Sequence, residues 1–210
     1  MSIVMKAPES EVWRPGFAYI TWEQRRFSDT LEFMRNNTLS RAELSEAEGT
    51  VLNVHYGDVL VRFGEILNVD AESLPRIADD SIAMRLSCQR LANGDVVIAD
   101  TAEDAAVGKC SELRGCDGKQ VVSGLHTMAC RPLLEFAVGY LGYYLNSNAF
   151  HAQLLPLMQG IKVISISKTA IGDAAIRFPS LAEQSRIGAL FRTLDSLITL
   201  HQREGLCGKY

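Results

Sequence analysis

The residues best equipped for chemistry lie in 95-DVVIADTAEDAAVGK-109, where Asp100, Glu103 and Asp104 cluster and Lys109 follows five residues beyond Asp104. Clustered carboxylates can hold the divalent ions of metal-dependent phosphodiester cleavage. The same residues also make a hydrophilic loop tip after an apolar strand, and the loop is the reading adopted. Four histidines are present, His55, His126, His151 and His201, and none pairs with another at metal-ligand spacing. His126 and Cys130 would share a face only on a helix, and Gly124 with its β-rich surroundings favours a strand or loop. The five cysteines, Cys88, Cys110, Cys116, Cys130 and Cys207, are odd in number and irregularly spaced. Buried thiols fit them better than a zinc cluster or a disulfide framework. A Gly-x-Ser-x-Gly elbow, a Walker lysine in a glycine-rich loop and the His-x-Glu with Pro-Cys-x-x-Cys of zinc deaminases are all missing. No metal, no cofactor and no catalytic residue is therefore expected, which points to a binding module.

Composition sets the frame for such a module. The 210 residues are 47% hydrophobic and 22% charged, an ordinary globular balance and enough chain for one domain with an appendage. No apolar run is long enough to span a bilayer, and the opening MSIVMKAPES lacks an apolar signal core, so a cytoplasmic location is expected. The formal charge of −4 argues against a broad phosphate-binding surface, although it leaves room for a local basic face.

The elements follow from pattern. Residues 1–21, with Pro8, Pro15 and Gly16, read as an arm or linker. The segment 22-WEQRRFSDTLEFM-34 reads as a short strand or turn followed by a helical turn. In 51-VLNVHYGDVLVRFG-64, apolar runs on either side of Tyr56-Gly57-Asp58 predict two strands joined by a tight turn. Asn93-Gly94-Asp95 opens the strand VVIAD, and residues 50–132 as a whole read as a twisted, mostly antiparallel sheet. Residues 133–145 are expected to be helical, with a further turn or two of helix between Asn148 and Pro156. Phe136, Tyr140, Tyr143 and Tyr144 are expected to pack on the sheet. KVISISK alternates as a strand, and 169-TAIGDAAIRFPS-180 reads as a connection.

The chain closes on one long amphipathic helix. Ser180 and Glu183 have capping-box spacing. Ile187, Leu190, Leu194, Leu197 and His201 alternate at three- and four-residue intervals, and Phe191 and Ile198 widen the seam. A helix of this length depends on whatever covers its stripe. Two coverings are open: its own domain, or coiled-coil-like pairing with another long helix from a second copy or a different subunit.

Taken in order, these phrases resemble the specificity subunits of type I restriction–modification systems. The resemblance is carried by 22-WEQRRFSD-29, 57-GDVLV-61, 94-GDVVIAD-100, 123-SGLHTMACRP-132, 139-GYLGYYLNS-147 and 160-GIKVISISK-168. It is strongest in 176-IRFPSLAEQSRIGALFRTLD-195, where the family has a Pro-Pro-Leu-x-Glu-Gln phrase opening its conserved helix. Here one of the two prolines of that phrase is replaced. The resemblance implies an α+β target-recognition domain over 22–178 and a spacer and dimerisation helix over 179–205. It implies a role without catalysis: reading one half of a bipartite site in double-stranded DNA and docking the methyltransferase subunits, with no membrane role. Full-length members carry two recognition domains and two long helices, so the chain is expected to be a half-subunit that pairs with a second copy, or a piece of a longer one.

Residues able to read bases or grip phosphates near these motifs are Arg62, Lys109, Arg114, Lys119, Gln120, His126, Lys162, Ser165 and Lys168. Each is otherwise an ordinary solvated surface group. Pairing through Ile187, Leu190, Phe191, Leu194, Leu197, Ile198 and His201 falls to the helix. The alternative is an assembly protein that uses the same helix and binds no DNA.

Overall fold

A computed structural model describes residues 21–207, with side chains described as far as Gln202. The arm expected over 1–21 lies, apart from residue 21, outside the described residues. Strand β1 (Glu23–Arg26) and a 3-10 turn (Phe27–Asp29) lead into β2 (Leu31–Phe33). Next come β3 (Leu44–Ser45), β4 (Leu52–Val54), α1 (Tyr56–Val61), β5 (Ile66–Asn68), β6 (Arg76–Ile77) and α2 (Asp80–Arg85). The Gly- and Val-rich middle supplies β7 (Val96–Ala99), β8 (Thr101–Ala102), β9 (Cys110–Arg114), β10 (Val121–Ser123) and β11 (Thr127–Pro132). The chain then runs through α3 (Tyr140–Asn146), α4 (Asn148–His151), β12 (Ile164–Ser165), α5 (Lys168–Asp173), β13 (Ala175–Phe178) and α6 (Leu181–Cys207).

The centre is a five-stranded sheet in the order β2-β11-β7-β9-β5, antiparallel except for the parallel β5–β9 edge. Side chains alternate across a strand, so the uninterrupted apolar run Val96-Val97-Ile98-Ala99 must be buried on both faces. It is. Val96 and Ile98 join Cys110, Met128 and Cys130 against Phe27, Tyr140, Tyr144 and Phe150, while Val97 and Ala99 join Leu113 and Ala129 against Val59, Phe63 and Leu67. Phe27, Phe63, Tyr140 and Phe150 are almost wholly enclosed, and full burial of such a side chain contributes roughly 1.5–3 kcal/mol. A four-stranded sheet, β10-β4-β6-β3, lies beside it with β10 and β4 parallel. Finally, β1 pairs antiparallel with β13, from Glu23 opposite Phe178 to Arg26 opposite Ala175. Antiparallel pairing predominates, and the α+β class with a long final helix is the one expected.

Three local expectations need correcting. Residues 51–64 do not form a hairpin: β4 is followed by helix α1, because the His55 ring caps the helix by accepting the Gly57 N–H at 3.1 Å. Val59 and Phe63, four residues apart, then bury one helix face, and buried Asp58 is held by Arg41 and Arg62. KVISISK forms only the two-residue β12, since Ser167 accepts the Ala170 N–H and starts α5. The supposed connection 169–180 therefore holds most of α5 and all of β13, the strand that closes the globule against β1.

Helix α3 begins seven residues later than expected, and the reason is Glu112. Its carboxylate, reaching across from β9, accepts the N–H groups of Gly139 at 2.6 Å and Gly142 at 3.0 Å. Gly139 sits at φ 85°, a conformation that ends the preceding segment and lets the helix start there. Burial pushes the Glu112 carboxyl above the ordinary glutamate range of 4.5, outweighing the two backbone donors and the Arg114 charge, which pull it down. A raised folded-state value means a stabilising contribution that is complete below 4.5 and lost as pH climbs through the folded value. In urea titrations across this range, wild-type stability should therefore fall with rising pH relative to Glu112→Gln. A difference that stays flat would show that the buried carboxylate is not penalised.

Candidate nucleic-acid interface

The expected reading residues separate into two groups. At one end of the central sheet, the β10–β11 turn holds His126 at φ 54°, a left-handed conformation uncommon outside glycine. Its exposed ring lies 3.4 Å from both the Asp100 carboxylate and the Thr101 hydroxyl, and Thr101 donates to Asp100 at 2.8 Å. Tyr56, the first residue of α1, sets its ring edge-on to His126 with centroids 5.3 Å apart. Strand β12 pairs with β8 so that exposed Ser165 lies opposite Thr101. Exposed Lys162 and Lys168 flank this strand, and the Lys168 ammonium lies 5.8 Å from the centre of the Phe33 ring. Lys109, by contrast, turns its ammonium inward to the Leu60 carbonyl at 2.9 Å.

Arg114, Lys119 and Gln120 lie toward the opposite end. There Gln120 is exposed, Arg114 is half-buried, and Lys119 binds the Asp70 carboxylate and the Val69 carbonyl. Arg62, at the end of α1, bonds Asp58 at 3.0 Å and the Ser73 carbonyl at 2.8 Å. Three of the expected cations thus have partners within the chain. The group at the His126 end also contains Tyr56 and Thr101, which the sequence pattern does not mark: Tyr56 falls in an expected turn, and nothing in the chain order announces that β8 and β12 pair. Between them lies a shallow depression of about 380 Å³ lined by Tyr56, Leu60, Val61, Thr101, Glu103, Asp104 and Val163, among others.

The carboxylates of the nuclease reading do not converge. Asp100 faces Thr101 and His126, while Asp104 accepts the Ala106 N–H at 2.8 Å in its own loop. Among the described residues, no group of three or more His, Cys, Asp or Glu side chains is placed to hold a metal ion. Buried Cys110 and Cys130 sit in the core, where desolvation pushes their thiols up. Burial does the same to Cys116, raising it to about 11.

Helix α6 divides into an anchored part and a free part. The Glu183 N–H approaches the Ser180 hydroxyl at 3.4 Å, one half of the expected capping box. Gln184 is buried, accepting the Ala137 N–H and donating to the Pro179 carbonyl. Ile187 packs on the globule's core, and Phe191 stacks on Tyr143 with centroids 5.1 Å apart. Arg192 donates to the Val138 carbonyl, and the Tyr143 hydroxyl donates to Asp195 at 2.5 Å. Beyond Asp195 no hydrogen bond joins the helix to the globule among the described residues, and the rod continues for about 18 Å at the usual rise. Leu190, Leu194, Leu197, Ile198 and Leu200 are between 42% and 58% exposed, and His201 is exposed. No helix among the described residues is long and apolar enough to cross a membrane.

Solved structures share this fold. Over 93% of its length the chain superposes on the type I restriction–modification S subunit from M. genitalium, with a TM-score of 0.55 and 14% identity. A chain of a type I R-M system, solved for its complex assembly and conformational transition, matches over 93% with a TM-score of 0.58 and 17% identity. The HsdS subunit from Thermoanaerobacter tengcongensis matches over 96%, with a TM-score of 0.56 and 18% identity. The chain shares the fold of part of these S subunits. The chain spans 42% of the length of each of these three. No protein-family model matches it, and neither does any curated protein.

Proposed function

We propose that the globule is a DNA target-recognition domain and that α6 is a spacer and docking helix for methyltransferase subunits and a second copy of the chain. What carries this reading is a fold shared with restriction–modification S subunits across almost the whole chain, ending in a helix whose apolar flank is uncovered. DNA meets the His126 end. There His126 and Ser165 offer donors and acceptors to base edges from short, backbone-braced segments, and Lys162 and Lys168 grip phosphates beside them. The chain has no catalytic role of its own and needs no cofactor. Reconstitution with methyltransferase subunits of the same system, followed by mapping of the modified bases, tests the assignment: a recurrent half-site supports it, and modification without sequence preference refutes it.

Each phosphate contact releases about one counterion, so log Kobs falls with log salt at a slope of roughly −0.9 per contact. Lys162→Ala with Lys168→Ala is accordingly expected to weaken binding to all sequences alike and to make the slope shallower by about 2. An unchanged slope would remove both lysines from the interface.

A second reading, assembly through α6 without DNA binding, draws on the net charge of −4 and on the internal partners of Arg62, Lys109 and Lys119. It requires a stable complex with methyltransferase subunits and no DNA affinity even at low salt.

A further inference from the structure

Beside the His126 end stands a short arch. Gln159 and Ser165 exchange backbone hydrogen bonds, 2.9 Å in one direction and 2.8 Å in the other, clasping residues 160–164 into a closed loop. Gly160 lies at φ +124°, and a Cβ there would sit 1.9 Å from the Val163 carbonyl oxygen, so the loop closes only with glycine. The tip is apolar and faces water: Ile161 is 98% exposed and Val163 58%, with exposed Lys162 between them. A clasped loop that holds an isoleucine almost fully in solvent gains nothing from it within the chain. The arch stands in register with the polar group described above, since Ser165 lies opposite Thr101 and Val163 shares a depression with Tyr56 and Thr101.

We propose that Ile161 is a base-reading residue that enters the major groove and packs on the 5-methyl group of a thymine, with Lys162 on a flanking phosphate. This rests on the DNA-recognition reading. The thymine methyl is the apolar feature of major-groove base edges, and reading it takes an uncharged side chain carried beyond the polar residues around it. Glu103 and Asp104 line the depression that Val163 shares, which disfavours phosphate there and leaves Lys162 and Lys168 to meet the backbone. The same carboxylates make the tip a poor match for an anionic lipid surface.

The test uses the full chain with its methyltransferase subunits to select from random double-stranded DNA. The enriched site is then synthesised with each thymine replaced in turn by deoxyuridine, which lacks only the methyl group. One replacement should weaken wild-type binding by roughly fivefold to tenfold, within the range of a single mismatched pair. Ile161→Ala should lose the same factor on the thymine site and lose nothing more on the deoxyuridine site, because both changes remove one contact. Melting temperature should be unchanged, the side chain being exposed. Additive losses, or no effect of any replacement, would overturn the proposal. So would an Ile161→Ala chain that sheds its methyltransferase subunits while selecting the same site, which would make the arch a protein contact. If the wild-type complex enriches no sequence at all, it is the DNA-recognition reading itself that has failed.

Discussion

With Leu194 and Ile198 both replaced by glutamate, the chain is expected to keep its fold and lose association through α6 by roughly a thousandfold. Leu194 lies at the end of the anchored part of the helix and Ile198 on its free part, and at 42% and 55% exposed both can be replaced with little loss to the folded monomer. Surface changes of this kind usually stay within about 0.5 kcal/mol, and glutamate is a good helix former. In a paired state the same positions fall in the buried seam, where each would place a charge against an apolar neighbour. Interface residues of this kind cost about 2 kcal/mol or more each, and two such losses amount to about three orders of magnitude in Kd. Sedimentation of the chain alone and titration with methyltransferase subunits would measure this, with melting temperature as the control for folding. Unaltered association in both assays would mean that the exposed flank is not the docking surface. Ile187 and Phe191 are unsuitable for the experiment, because they already pack on the globule and on Tyr143.

The largest effect on stability is expected from Arg131→Met, at about 3 kcal/mol. Asp95 is 1% exposed, and Arg131 holds it with a forked pair, Nε to Oδ1 at 2.9 Å and Nη2 to Oδ2 at 2.7 Å. The Ala92 N–H donates to the same carboxylate at 2.7 Å, and Arg131 also donates to the Arg90 carbonyl. Removing the arginine leaves a buried negative charge with one backbone donor, and breaking such a pair from one side costs about 3–5 kcal/mol. The lower end applies because the guanidinium is itself partly exposed. The double change Asp95→Asn with Arg131→Met should recover part of the loss, since no buried charge is then stranded. Urea titration of the two variants would decide it, and an Arg131→Met chain as stable as wild type would refute the account.

How far the sequence foretold this molecule depends on whether a signal was local. Ser167 begins a helix by its own hydroxyl, and Asn93-Gly94-Asp95 opens β7, but the first signal is masked by the β-branched run Val163-Ile164 beside it. Residues 56–58 read as a turn and the residues after it as a strand, because apolar Val59, Leu60 and Val61 suggest one. What decides for a helix is the His55 cap, an uncommon capping residue, together with Asp58 held by Arg62 one turn on and by Arg41 seventeen residues earlier; of these only Arg41 lies outside the local window. The late start of α3 is likewise set by a carboxylate 27 residues earlier in the chain. The helical stripe of α6 is the most legible feature, since its spacing of three and four is a local signal, whereas the choice between its own domain and another helix as the cover is not. Least legible was the membership of the His126 group, which depends on β8 meeting β12 across more than sixty residues.

The pairing of β1 with β13 has a consequence for how such a module can be exchanged. The chain enters the globule and leaves it on two neighbouring antiparallel strands, four residues long each, and everything between them closes on itself. A whole substitute globule could then be grafted between Arg26 and Ala175, provided that its two ends arrive about one strand spacing apart and that it again seats α6 as Ala137, Val138 and Tyr143 do. If the globule reads DNA as proposed, new specificity would come as a cassette, while the rod that follows kept its length.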